Sequence, residues 1–137
     1  MRTSVNEYIP ALEQYVFQGH KLHHIKGALY QCNRMVIEIH ASNPRTENYF
    51  FGVSLDPSVH MCLFVCGRES LAFCIEPDFM RELNLSEAKN GKHKVFNLIA
   101  DHPLNGEARL IYKKDGKDVY PIDITEWAVP LYEEVLR

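Results

Sequence analysis

The chain has 137 residues, 46% of them hydrophobic and 24% charged, with a net charge of −3 at pH 7. That composition fits one globular domain, 1–137, and excludes disorder, a fibre and a globally basic nucleic-acid binder. No apolar run approaches the roughly 18–20 residues that span a bilayer, and residues 1–7 lack the apolar stretch of a secretory signal. A cytoplasmic protein without membrane contact is therefore expected.

In chain order, the first element is a helix from Asn6 to just before Gly19, with Tyr8, Ile9, Leu12, Tyr15 and Val16 on one apolar stripe. Pro10 is tolerated in its first turn, where an amide would have no partner, and Gly19 stops it. Strands follow at Ala28–Cys32 and Arg34–Ala41. In the second, Met35, Ile37, Ile39 and Ala41 face one way and Val36, Glu38 and His40 the other. A loop at Asn43–Asn48 precedes a strand at Tyr49–Val53, and Asp56-Pro-Ser58 makes a turn. Val59–Cys66 is apolar on both faces and reads as a central, doubly covered strand. Gly67–Ser70 turns the chain into a strand at Leu71–Ile75, and Pro77 opens a short helix, Asp78–Leu83.

Asn90-Gly91 is a turn signal. Strands are expected at Lys94–Ile99, Ala108–Tyr112 and Lys117–Tyr120, the last two joined through Lys114-Asp-Gly116. Asp123-Ile-Thr-Glu126 has the pattern of a capping box. It predicts a last helix with Ile124, Trp127, Ala128, Leu131 and Val135 on one stripe, kinked or divided by Pro130. Regular strand–helix alternation is absent. The pattern predicts an α+β fold: a single, mostly antiparallel or mixed sheet with N- and C-terminal helices packed on it.

The four cysteines, Cys32, Cys62, Cys66 and Cys74, sit in apolar strand-like runs and read as reduced core thiols. His60, Cys62 and Cys66 share a strand face, but Cys66 lies about 13 Å beyond Cys62, too far for one tetrahedral zinc. No metal site is expected, and no cofactor motif is present. From His20 to Thr46 the bases Lys21, Lys26, Arg34 and Arg45 face one acid, Glu38, giving +3 before the histidines. The Gly19–Gly27 stretch reads either as a solvated connection or as a phosphate-binding segment, since lysine and charged histidine replace counterions on a nucleic-acid backbone. His20, Lys21, His23, His24, Lys26, Arg34 and Arg45 are its candidate contacts. Tyr49, Phe50 and Phe51 invite base stacking, although alternation sends Phe50, or else Tyr49 and Phe51, into the core.

The run Arg34-Met-Val-Ile-Glu-Ile-His40, then Tyr49–Val53, Met61–Cys66 and Phe73-Cys-Ile-Glu-Pro77, resembles the core of PD-(D/E)xK nucleases. The resemblance implies a strand bearing the catalytic Glu-x-Lys, which makes Glu38 and His40 the candidate catalytic pair. His40 stands where the family has lysine, and no acid between Glu13 and Glu38 supplies a partner carboxylate for magnesium. The polar strand face reads otherwise as solvated, with Glu38 and His40 outward. The expectation is a small accessory domain contacting nucleic acid through residues 20–46, with a nuclease-like core lacking an intact active site. The alternative is a protein-interaction module (an inhibitor, immunity protein or subunit) that uses the acidic stretches Glu76–Glu87 and Asp123–Glu134.

Overall fold

In the computed structural model, which describes residues 4–89, 91–100, 107–114 and 116–133, two sheets pack face to face and a short helix covers the outer side of one. Of the expected features, Asn90, Asp115 and the Val135 end of the last helix lie outside the described residues.

A 3-10 turn at Val5–Glu7 leads into α1 (Ile9–Tyr15), with Pro10 in the first turn. The helix is shorter than its apolar stripe predicts. Gln18 and Gly19 take positive φ, 54° and 86°, and the Gly19 amide closes the end by donating to the Glu13 carbonyl at 2.7 Å. The strands that follow are β1 (His23–Lys26), β2 (Leu29–Cys32), β3 (Met35–Ser42), β4 (Asn48–Val53), β5 (Met61–Cys66) and β6 (Leu71–Ile75). Helix α2 (Pro77–Glu82) precedes β7 (Ser86–Glu87), β8 (Lys94–Ile99), β9 (Arg109–Ile111), β10 (Lys113–Lys114), β11 (Lys117–Asp118), β12 (Ile122–Asp123) and β13 (Ala128–Pro130).

The first sheet has the order β1-β2-β3-β5-β6-β13 and is mixed, because β3 and β5 run parallel while its other neighbours are antiparallel. The second has the order β12-β9-β8-β4, with β7 also on β8, and is antiparallel throughout. The expected single sheet is thus two packed sheets, with β10 and β11 forming a separate two-stranded hairpin. The chain leaves the first sheet after β3, adds β4 to the second, and returns as β5.

Alternation along the shared strands makes two cores. On one side of the first sheet Ile37, Ile39, Leu63, Val65 and Ala72 pack under Leu12 and Phe17 of the helical segment. On the other side Cys62, Phe64, Cys66, Leu71, Phe73 and Ile75 meet Tyr49, Phe51, Val53, Phe96, Leu98 and Leu110 of the second sheet. Phe64 joins them directly, edge-on to Phe96 at 4.9 Å and tilted against Phe51 at 5.2 Å. β5 is the doubly covered central strand that its unbroken apolar run predicts.

Among the described residues the expected C-terminal helix does not form. Asp123 Oδ1 accepts from the Thr125 amide and hydroxyl at 2.9 and 2.6 Å, so the capping chemistry closes one 3-10 turn, Thr125–Trp127. Beyond it, Pro130 disfavours the helical conformation at Val129. The segment instead becomes β13, in register with β6 through Ala128–Phe73, Val129–Ala72 and Pro130–Leu71.

Candidate functional site

Glu38 does not face solvent, as a solvated strand face would require. The polar face of β3 points at the second sheet, and Glu38 is 1% exposed. Its carboxylate accepts from the Ser54 amide (2.8 Å), the Ser54 hydroxyl (2.7 Å) and His40 Nε2 (2.6 Å). Burial pushes this carboxyl upward, yet the His40 and Ser54 hydrogen bonds outweigh it and hold the group below its usual value. His40 lies flat over Phe64, centroids 6.0 Å apart at 12°. Ser54 begins the passage from β4 back to the first sheet, so Glu38 fastens that crossing.

This arrangement does not fit magnesium. Both Glu38 oxygens are engaged, and Asp56 uses Oδ1 to accept from the Ser58 amide and hydroxyl at 2.8 and 2.7 Å. Among the described residues no three His, Cys, Asp or Glu side chains converge as metal ligands. His60 Nδ1 accepts from the Val36 amide at 2.9 Å. Cys62 and Cys66 are buried between the sheets, and burial, with Glu38 close by, pushes the Cys62 thiol up to about 12. A thiol in that state is a poor nucleophile at neutral pH. Glu38, His40 and Ser54 are thus joined in one hydrogen-bonded cluster, with Glu38 buried and the His40 side chain 21% exposed.

The basic segment separates. His23, His24 and Lys26 lie on β1, an edge strand whose four residues are all exposed. Sequence patterning missed this strand because its side chains face water on both sides. His20 and Lys21 precede it; Lys21 is 76% exposed and 3.7 Å from Glu13, whose other oxygen accepts from the Leu22 amide at 2.7 Å. His24 Nε2 is bonded to the Gly27 carbonyl at 2.9 Å. Asp56 is held below the usual carboxylate range by its Ser58 hydrogen bonds and, more weakly, by Lys26. Arg34 sits in the β2–β3 turn, toward the Lys21 end of the hairpin. Arg45 lies beyond the other end of β3, whose eight residues span about 26 Å. The hairpin thus groups His20, Lys21, His23, His24, Lys26 and Arg34, and leaves Arg45 apart.

A second surface was not legible from residue types. On the outer face of the second sheet, Asn48, Phe50, Val95, Asn97, Ile111, Tyr112, Lys113 and Asp118 are among the residues that line a groove of about 340 Å³. Tyr49 and Phe51 take the core positions of β4, leaving Phe50 63% exposed. Phe50, Asn97 and Ile111 stand in register across β4, β8 and β9. The alternation Asn48-Phe50-Gly52 was the available signal, but without knowing which face met the first sheet it could be read either way. The chain matches none of the protein-family models, curated proteins or solved structures with which it was compared.

Proposed function

We propose that this domain is a non-cleaving accessory that contacts nucleic acid through the edge hairpin from His20 to Lys26, with Arg34 beside it. The observation that supports the reading is the exposure of all four β1 residues at an open sheet edge, where His23 and Lys26 meet solvent and His24 rests against the Tyr30 ring at 4.9 Å. Lysines there neutralise phosphates without reading sequence. The closed hydrogen bonding of Glu38 supports the absence of cleavage.

Fluorescence anisotropy over a salt series tests it. Three cations, Lys21, Lys26 and Arg34, predict a slope of log K against log salt of about −2 on a single strand. Replacing Lys21 and Lys26 together by alanine should remove about two-thirds of that slope and leave folding nearly unchanged. DNA and RNA should stay intact in magnesium and manganese. No binding near 50 mM salt, or a slope the double variant does not alter, sinks the reading. A protein partner then takes its place, because the unpaired main chain of an edge strand can accept an added strand.

A further inference from the structure

We propose that the groove on the outer face of the second sheet is a nucleobase site, so that the ligand of this domain is single-stranded. The proposal rests on the nucleic-acid reading for its phosphates, while the groove itself is argued from its own residues.

The lining combines two features that small-ligand sites share, an apolar floor and a few converging polar groups. Val95 and Ile111 supply apolar lining, and the aromatic members of the lining are the exposed Phe50, the half-buried Tyr112 and the buried Phe96. Phe50 presents its ring to solvent at 63% exposure, a position that hydrophobicity alone disfavours. Base–aromatic stacking would cover that ring, and it is tolerant of sequence because every base has a π-face. The volume, about 340 Å³, is near the lower end of the usual range for small-ligand pockets. It suits one planar ring system rather than an inserted helix.

The polar groups have the pattern that a base edge needs. Asn97 Nδ2 donates to Asn48 Oδ1 at 2.9 Å, which fixes both amides side by side. The pairing leaves the Asn48 nitrogen to donate and the Asn97 oxygen to accept. Each base offers neighbouring acceptors and donors along its edge, so this pair would hold any base in the groove while discriminating little. Asp118, in register with Lys113 on the β10–β11 hairpin, adds an acceptor suited to an exocyclic amine or a sugar hydroxyl. The same hairpin carries Lys113, Lys114 and Lys117, all exposed and in no ion pair among the described residues. These cations stand where a strand leaving the groove would carry its phosphates.

Two measurements decide it. In the first, each of the four ribonucleosides is titrated into wild-type protein, and the Asn48 and Asn97 side-chain amide resonances are followed by NMR; saturable shifts confined to the groove are expected. In the second, anisotropy is measured on a single-stranded oligonucleotide and on a duplex of equal length. Wild type should favour the single strand, Phe50→Ala should weaken it about tenfold without changing the salt slope, and Phe50→Tyr should keep it. Phe50 is largely exposed, so the alanine variant stays folded. If Phe50→Ala binds the single strand as well as wild type and nucleosides leave both amides unmoved, the nucleobase site is overturned while the hairpin reading stands. If wild type binds no oligonucleotide but nucleosides shift both amides, the hairpin reading falls and the groove remains a nucleobase site. Displacement by a peptide but not by nucleosides overturns it in favour of a protein ligand.

Discussion

A buried carboxylate must be matched by donors, or folding bears its desolvation cost, and Glu38 meets that demand with Ser54 and His40. Its hydrogen bonds hold its pKa below the ordinary carboxyl value of 4.5, which fixes the sign of its pH effect. A group whose folded value lies below its unfolded one stabilises the fold above the unfolded value and loses that contribution as pH falls through the folded value. Urea midpoints between pH 7 and pH 3 should therefore drop more steeply for wild type than for Glu38→Gln. At pH 7 the glutamine variant should be less stable by about 2 kcal/mol, the worth of charge-assisted hydrogen bonds, and the two should converge in acid. Parallel curves would mean that the cluster contributes nothing to stability. The sequence placed Glu38 and His40 together on one face of β3, which alternation alone determines. What it could not supply was the cover, because that comes from Ser54 just after β4 and from Phe64 of β5, which only the folded chain brings over this face.

At the scale of elements, local pattern succeeded for the central strands and for the edge strand β4, and failed at the edges β1 and β13. β5 and β6 announce themselves by apolar content, because both their neighbours and their faces are protein, and β8 by alternation between buried Phe96 and Leu98 and its outer face. β1 and β13 are edges, and their sequences answer to solvent as much as to pairing. The C-terminal segment shows two local rules in conflict. A capping box at Asp123 and an apolar stripe argued for helix, while Val129 before Pro130 argued for extended chain, and pairing with β6 favoured the second. The consequence is a contact no helical stripe would predict: Trp127 stands edge-on to Phe79 of α2, centroids 5.1 Å apart at 89°. Trp127 is the single tryptophan and 37% exposed, so it reports on this docking alone. Phe79→Ala should shift its emission to the red and cost about 1 kcal/mol, the aromatic pair's worth beyond simple burial. Unchanged emission would show that the turn at Thr125–Trp127 is not seated on α2.

Across the whole molecule, the first sheet is the common wall of two cores, and this dictates how the domain should come apart. Residues alternating along β3, β5 and β6 serve the α1 side and the inter-sheet side in turn, so neither core can dissolve without exposing the other. The cysteines sample both: Cys32 lies on the α1 side and Cys62 and Cys66 between the sheets, all unbridged. Burial pushes every one of these thiols upward, Cys74 to about 11, so in the folded state they resist alkylation near neutral pH. Two results should follow. The melting temperature should be the same with and without reductant, because no cross-link constrains the unfolded chain. In a urea series with pulsed alkylation read by peptide mass, Cys32 and Cys62 should become reactive at one midpoint, as a single cooperative unit requires. A Cys32 midpoint clearly below that of Cys62 would mean that the α1 layer opens by itself. The first sheet would then hold together on its inter-sheet core alone, and the basic hairpin at its β1 edge would ride on the less stable part of the fold.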